Sequence, residues 1–304
     1  MADPDLVGVL VVDKAKGPTS HDIVASLRRV LQLRRIGHCG TLDPLASGVL
    51  VICLGRYTRL NRWLSSADKE YDATFRLGAT SATGDAQGPI EHHVDIIPPT
   101  DAAIRGVLDA FIGTIDQVPP AYSAIKVGGV PSYKRARRGE QVDLKARLIE
   151  IHSIDLLHYS FPDLVVRIHC SSGAYIRALA ADIGQALGTG AYLAELRRLR
   201  VGHLGLDRAL SVDEIAALSQ ADRIDEAFAH PRQALGAMAV IELNAEKLVD
   251  FTHGKTVAHQ ALSGSCKEVC AIFDSAETLF GIARWEHGAL RPYCVLRQPH
   301  PSAR

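Results

Sequence analysis

No run of apolar residues in this chain approaches the roughly eighteen that a membrane-spanning helix requires. The opening "MADPDLVGVLVVDKAKG" has neither the basic start nor the small-residue cleavage site of a secretory leader. A membrane partner and export are both disfavoured, and a cytoplasmic protein is expected. Charge of one sign is lacking too: 34 Lys and Arg balance 34 Asp and Glu, so net charge alone points to no polyanionic partner. Cysteine is sparse. Cys39, Cys53, Cys170, Cys266, Cys270 and Cys294 are scattered, mostly in apolar runs, which excludes a disulfide framework and suits reduced core thiols. Cys266 and Cys270 invite a metal reading, but no second pair follows at zinc-site spacing, and no metal is expected. The chain also lacks a GxSxG elbow, an HExxH pair and a P-loop, since the glycines between 37 and 48 are not followed by the Lys-Ser/Thr ending that reaches phosphates. His38 beside Cys39 suggests a cysteine nucleophile, yet an extended chain sends adjacent side chains to opposite sides, which disfavours a dyad.

With 304 residues, 47% of them apolar, the chain can bury one large core, or one large and one small. "GVLVVDK" (8 to 14) predicts a short buried strand, and "TSHDIVASLRRVLQL" (19 to 33) a helix with Thr19 and Asp22 at capping-box positions. "GVLVICLG" predicts a second buried strand. "EYDATFRLG" and "LVVRIHCSS" alternate apolar and polar residues, the period of a strand with one face buried. "GAYIRALAADIGQALG" has a helical apolar stripe closed by Gly188. Strands and helices mix without strict βαβ alternation, so the expected class is α+β, a mostly antiparallel sheet carrying helices. A linker is expected near 219 to 237. Beyond it, a short helix capped by Asn244 and stopped by Gly254, then "EVCAIFD", "TLFGIARWE" and "LRPYCVL", predict a small β-rich domain.

Basic side chains cluster in "KVGGVPSYKRARRGEQVDLKAR" (126 to 147), where seven cations, including Lys126, Lys134, Arg135, Arg137 and Arg138, face only Glu140 and Asp143. With Tyr122 and Tyr133 nearby, the segment suits a phosphate backbone and unstacked bases; the plainer alternative is a solvated loop. "ELRRLRVGH" (195 to 203) is a second basic cluster. Three residues stand out for chemistry. Asp43 lies in "GTLDP", a turn rich in glycine and hydroxyls at the mouth of a buried strand, and is either turn punctuation or a nucleophile. Arg177 occupies the first turn of its helix, the wrong end of the macrodipole for a cation. A carboxylate would offset this, whether a buried aspartate held bidentately or Asp182 one turn on. Tyr71 opens a core-facing stripe, so it either packs or presents its ring and hydroxyl to a base.

Taken together, "GVLVVDKAKGPTSHDIV", "RRIGHCGTLDPLASGVLVICLGRYTRL", "KEYDATFRLGATSATGDAQG", "VPPAYSAIKVGGVPSYKRARRGE" and "CSSGAYIRALAADIGQALGTGAYLAELRRLRVG" resemble the TruB family of bacterial tRNA pseudouridine-55 synthases over nearly the whole chain. Two departures are minor: Ala15 stands where the family usually has proline, and Cys39 where threonine or alanine is commoner. The resemblance implies the pseudouridine synthase fold, with a catalytic domain over 1–236, an RNA-gripping loop over 120–150, and a PUA-like RNA-binding domain over 237–304. It makes Asp43 the catalytic aspartate, Tyr71 the tyrosine against the target base, and Arg177 the arginine paired to Asp43. His38 then meets the flipped nucleotide, Tyr175 and Leu196 line the uridine pocket, and Lys126, Lys134, Arg135, Arg137 and Arg138 meet the RNA backbone. The substrate implied is the T-arm stem-loop of tRNA, with no cofactor and no obligate protein partner. Attack at C6 of uracil, attack at C1′ of the sugar, and elimination through a glycal all remain open. So does a non-catalytic alternative, an RNA-binding or tRNA-folding module that uses the cleft without the chemistry.

Overall fold

The structure is a computed structural model, and it describes residues 6–123, 125–136, 138–140, 143–236, 238–259 and 269–296. The first apolar run, Gly8–Lys14, is buried along its length because it is covered on both sides. Leu10 and Val12 face one core while Val9 and Val11 face another. This sandwiching explains why the strand reads as a continuous apolar run instead of alternating. It pairs antiparallel with Ser47–Leu54, which is buried in the same way.

Around this pair grows a nine-stranded mixed sheet. Seven strands lie in the order Gly8–Lys14, Ser47–Leu54, Ala191–Val201, Lys69–Leu77, Asp163–Cys170, Arg147–Ser160 and Gly113–Gln117, with Ile36–His38 beside Ser47–Leu54 and Leu204–Gly205 beside Ala191–Val201. Every pairing is antiparallel except one: Arg197 and Arg198 run parallel to Ser47 and Gly48. The expected α+β class with a mostly antiparallel sheet is therefore what forms. Lys69–Leu77 alternates strictly, with Tyr71, Ala73, Phe75 and Leu77 buried. The helices Ser20–Val30, Asp101–Ala110 and Ile176–Ala186 send Leu27, Ile104 and Leu179 into the main core. Thr19 and Asp22 form the expected capping box. That helix ends earlier than its pattern suggests, at Val30, because the chain turns through Gln32 at φ +49° so that Leu33 can reach the core.

The C-terminal strands Ala239–Glu242, Val269–Phe273, Leu279–Glu286, Ala289–Val295 and Val257–Ala258 form a second sheet with the helix Ala245–Thr252 packed on it. The module fits a PUA-like fold. Its Ala271, Phe273, Leu279 and Ile282 share one apolar cluster with Val9, Val11, Val49 and Val51 of the large sheet. Over its described residues, the linker expected near 219 to 237 is packed in part against the large sheet. The Ala229 amide donates to Val9 O at 2.8 Å, Phe228 bridges to Leu10, and Val212–Gln220 is a capped helix. Its polar composition reflects one wet face, not a free tether.

The parallel crossing sets a steric demand. Gly48 has φ +101°, and a Cβ there would lie 2.2 Å from the Arg198 carbonyl oxygen. Gly48→Ala is expected to cost about 2 to 4 kcal/mol of stability, through strain and displacement of the neighbouring strand, read as a lowered midpoint in urea unfolding. A midpoint unchanged from the wild type would show that the two strands separate without penalty.

Candidate active site

Asp43 lies between two strands, Ile36–His38 and Ser47–Leu54, in a segment with no ladder of its own. Its backbone polar groups must therefore find other partners, and buried side chains provide them. Ser20 donates to Leu42 O at 2.9 Å and accepts from the Leu42 amide at 2.8 Å. Arg198, only 1% exposed, donates to Val49 O at 2.7 Å and to Thr41 O and Gly40 O at 3.3 Å each. Lys14 has no exposed surface and donates to Ala15 O and Pro18 O, both at 2.9 Å. Burial pushes its ammonium down to about 8, against the pull of Asp43.

The carboxylate held on this frame is itself 36% exposed, while the Arg177 side chain facing it is 7% exposed. Arg177 Nε lies 3.0 Å from Asp43 Oδ2. The two Nη groups do not complete a bidentate fork on Asp43. They donate to Thr83 O and Tyr122 O, each at 2.9 Å, and Nη1 stands 3.7 Å from Asp85 Oδ2. Arg177 thus meets the partly exposed Asp43 with one edge and is anchored by the other. Asp182, the alternative partner, lines a cavity of about 230 Å³ beside Arg177 instead, and burial raises its carboxyl pKa.

Asp85 has no place in the sequence expectations. It is buried, accepts from Thr83 Oγ1 at 2.6 Å and from the Gln87 amide at 3.0 Å, and so is fixed in position behind Arg177. The signal was available in "TGDAQG": Gly84 sits at φ +76°, and a Cβ there would lie 3.3 Å from Arg177 Cβ, so the glycine allows the close approach. Gln117 is equally unexpected. It is 2% exposed, and its amide brackets Tyr175, accepting from the Tyr175 amide at 2.8 Å and donating to Tyr175 O at 3.1 Å. That clamp starts the Ile176–Ala186 helix without a side-chain cap and thereby aims Arg177.

Tyr71 lies on the buried face of the central strand, across from Arg198. Burial raises its phenol pKa, opposed by Arg198, with Asp43 a further charged neighbour. Tyr175 shares Arg177 and Asp43 as charged neighbours, and burial raises its phenol as well. Leu196 is buried opposite Ala73, one alternate position along from Tyr71. His38 lies at the end of its short strand with Nδ1 buried and unbonded. Burial first, then Arg198 and His21, lower its pKa and favour the neutral ring. Cys39 points elsewhere: its Sγ lies 3.4 Å from Cys53 Sγ in the other core, so no His38–Cys39 dyad forms.

The basic segments fare differently. Lys126 lies on a short hairpin with Val130–Pro131, and Lys134 and Arg135 on the helix Ser132–Ala136. Arg135 and Arg138 share Glu140 at 3.2 and 3.7 Å. Arg137 and the side chain of Lys126 lie outside the described residues, as does Cys266. The second basic cluster is not a free surface. Arg197 pairs with Asp13 at 2.8 Å, Arg200 with Glu70 at 3.3 Å, and Arg198 is interior. Strand alternation splits a contiguous run of cations between the two faces of the sheet.

Residues 28–176 match the family described as TruB family pseudouridylate synthase (N terminal domain), and residues 177–239 match the tRNA pseudouridylate synthase B C-terminal domain. The chain is 40% identical over 296 residues to the tRNA pseudouridine synthase B of Burkholderia pseudomallei (strain 668), covering 96% of this chain and 97% of that protein. It is 42% identical over 303 residues to the tRNA pseudouridine synthase B of Cupriavidus pinatubonensis, covering 95% and 94%. In three dimensions it is similar to a chain of a Cbf5-Nop10-Gar1 complex, with a TM-score of 0.77 and 25% identity over 97% of this chain and 86% of that one. The class to which fold and sequence point is the pseudouridine synthases, enzymes that isomerise uridine. Within it, this chain belongs to the TruB family.

A second buried lysine gives the frame a pH signature. Lys69 donates to Ser65 O at 2.6 Å and Ala67 O at 2.5 Å, and burial, reinforced by Arg198, pushes its ammonium down to about 8. Between that value and the ordinary 10.5, the unfolded chain binds more protons than the folded one, so stability rises with pH over this window and is flat below it. Lys14 adds a parallel contribution over the same window. Urea unfolding of Lys69→Met should show a shallower rise between about pH 8 and 10.5, and the double variant with Lys14→Met a shallower one still. Profiles that superimpose on the wild type would place both ammonium groups in water.

Proposed function

We propose that this chain converts uridine to pseudouridine at position 55 in the T loop of tRNA, with Asp43 acting as nucleophile on a flipped-out base. The observation that carries the reading is the Asp43 carboxylate, partly open to solvent and aimed by the Arg177 guanidinium at 3.0 Å. The tRNA substrate is suggested by the names of the relatives at 40% and 42% identity. The reaction breaks N1–C1′, turns the uracil while it stays bound, and joins C5 to C1′. A proton leaves C5 and N1 gains one, so the sum is an isomerisation that consumes no water, electron or phosphate. One carboxylate suffices for this, whereas hydrolytic glycosidases use two to admit water and release the leaving group.

Tyr71 suits contact with the base and relay of the C5 proton. A phenol raised by burial keeps its proton at neutral pH, so it takes the C5 proton only as it passes its own onward. Arg198, across the strand pair, supplies the positive field for that transfer. The neutral His38 ring is placed to fill the stack that the base vacates, against the few kcal/mol that flipping costs. Tyr175 and Leu196 would line the uridine pocket. The basic loop within 120–150 would grip the stem through phosphate contacts, with Tyr122 at its start linking loop closure to Arg177. In this reading, residues 1–236 are the catalytic unit and 237–304 a PUA-like RNA-binding unit, working in the cytoplasm without cofactor or obligate partner.

The test is tritium release from tRNA labelled at C5 of uridine. Asp43→Asn should abolish release while tRNA binding stays near wild type, and charge reversal at Arg135 and Arg138 should weaken binding with a reduced salt dependence. An active Asp43→Asn enzyme would overturn the nucleophile. Release from tRNA that carries cytidine at position 55 would overturn the choice of position.

A further inference from the structure

On the outer face of the large sheet, away from Asp43, two histidines and an aspartate converge where three segments meet. Asp68 immediately precedes the Lys69–Leu77 strand, His169 lies near the end of the neighbouring strand Asp163–Cys170, and His152 lies on Arg147–Ser160, the next strand along. Each offers one ligating atom, and the three atoms lie within 4.8 Å of one another. We propose that Asp68, His152 and His169 form a binding site for a borderline divalent cation of the zinc type, separate from the uridine site.

Four features of the cluster support this. First, His152 sits in a β-bulge. Ile151 pairs with Cys170 and Ser153 with His169, which leaves His152 as the extra residue. Bulges release a side chain from the ladder and re-aim it, and here the freed imidazole stacks beside His169 with ring centroids 4.6 Å apart. Secondly, His152 Nε2 is buried and makes no hydrogen bond, although Asp68 Oδ2 is only 3.2 Å away. The carboxylate therefore lies beside the nitrogen and off its bonding axis. That is the relation of two ligands on one tetrahedral metal, whose bonds of about 2.0 to 2.2 Å place ligand atoms about 3.4 Å apart.

Thirdly, Glu150 lies behind the other ring nitrogen, its Oε1 3.7 Å from His152 Nδ1. That is too far for a hydrogen bond, but the carboxylate adds negative potential beside a cation bound at this ring. Fourthly, the neighbouring acid Glu70 is engaged by Arg167 and Arg200, so it does not compete for the ion. Two neutral imidazoles and one carboxylate make a set that suits zinc, cobalt or nickel better than magnesium or calcium, which prefer all-oxygen shells. Exposure of Asp68 and His169 leaves the fourth position to water. A cation here would tie the chain entering the central strand to the next two strands on one side of it.

The experiment uses the untagged full-length chain, stripped with EDTA and titrated with zinc chloride by calorimetry. Wild type should bind one equivalent saturably, show a raised Tm with zinc, and give with cobalt the visible absorption of a four-coordinate site. The double variant His152→Ala/His169→Ala, at exposed and half-exposed positions, should lose all three responses while keeping its circular dichroism spectrum. Asp68→Asn, which keeps the shape of the side chain, should weaken binding and decides the matter if the double variant misfolds. No saturable binding by wild type, or unchanged one-equivalent binding in the variants, would overturn the site and leave the Asp68–His152 contact as an ion pair only.

Discussion

The Arg177 guanidinium is a cation enclosed by protein, and its demand for partners organises the large-sheet half of the molecule. A buried charge left unpaired is far more costly than a surface one. Arg177 accordingly meets Asp43, Asp85 and the carbonyls of Thr83 and Tyr122. Those partners come from three separate stretches of chain, so satisfying a single side chain draws together the turn after the second strand, the loop after the central strand and the start of the basic loop. Of its two carboxylate partners, Asp43 is the more open to solvent, 36% exposed against 7% for Asp85. The cost of burying the cation is offset by fixed groups on one side, and the remaining edge is left to orient the more open carboxylate.

The same logic applies to Arg198, Lys14 and Lys69, all buried although the chain as a whole carries no net charge. Arg198 donates to Gly40 O and Thr41 O and Lys14 to Ala15 O and Pro18 O, all in irregular segments, while Lys69 closes the end of a short helix at Ser65 O and Ala67 O. The region around the site is thus built from irregular loops stiffened by internal cations. The Asp43 carboxylate placed here sits in a field of positive charge that regular strands, with their self-satisfied backbones, would not require. On the outer face, charges pair across strands instead, as Arg76 with Asp163 and Arg167 with Asp72, where water lowers the value of each pair.

Much of this was legible in the residues, and the pattern of what was not has physical causes. Capping and turn chemistry act locally, so Thr19–Asp22, Asn244 and Gly254 gave their helix ends directly. Strands with a clear period, such as Lys69–Leu77, were equally plain. Ala191–Val201 was not, because its run of arginines resembles a surface cluster until its register beside Gly48 is known. The candidate site shows the same division. Asp43, Tyr71 and Arg177 are anomalous for their local positions and therefore visible, and the pairing of the first with the last was anticipated. Asp85 and Gln117 act through partners more than fifty residues away; the glycine before Asp85 is the one local sign of the first, and no local rule marks the second. The distribution of Arg177's hydrogen bonds was also out of reach, since it depends on carbonyls supplied by tertiary packing.

The C-terminal sheet shares an apolar cluster with the strand Gly8–Lys14. One consequence concerns motion. A module on a tether can move independently, but one whose Phe273 and Ile282 lie in the same core as Val9 and Val51 is coupled to the large sheet by apolar contacts it would have to break to do so. Any ligand that touches both sheets therefore meets a surface whose two parts are joined through one apolar core.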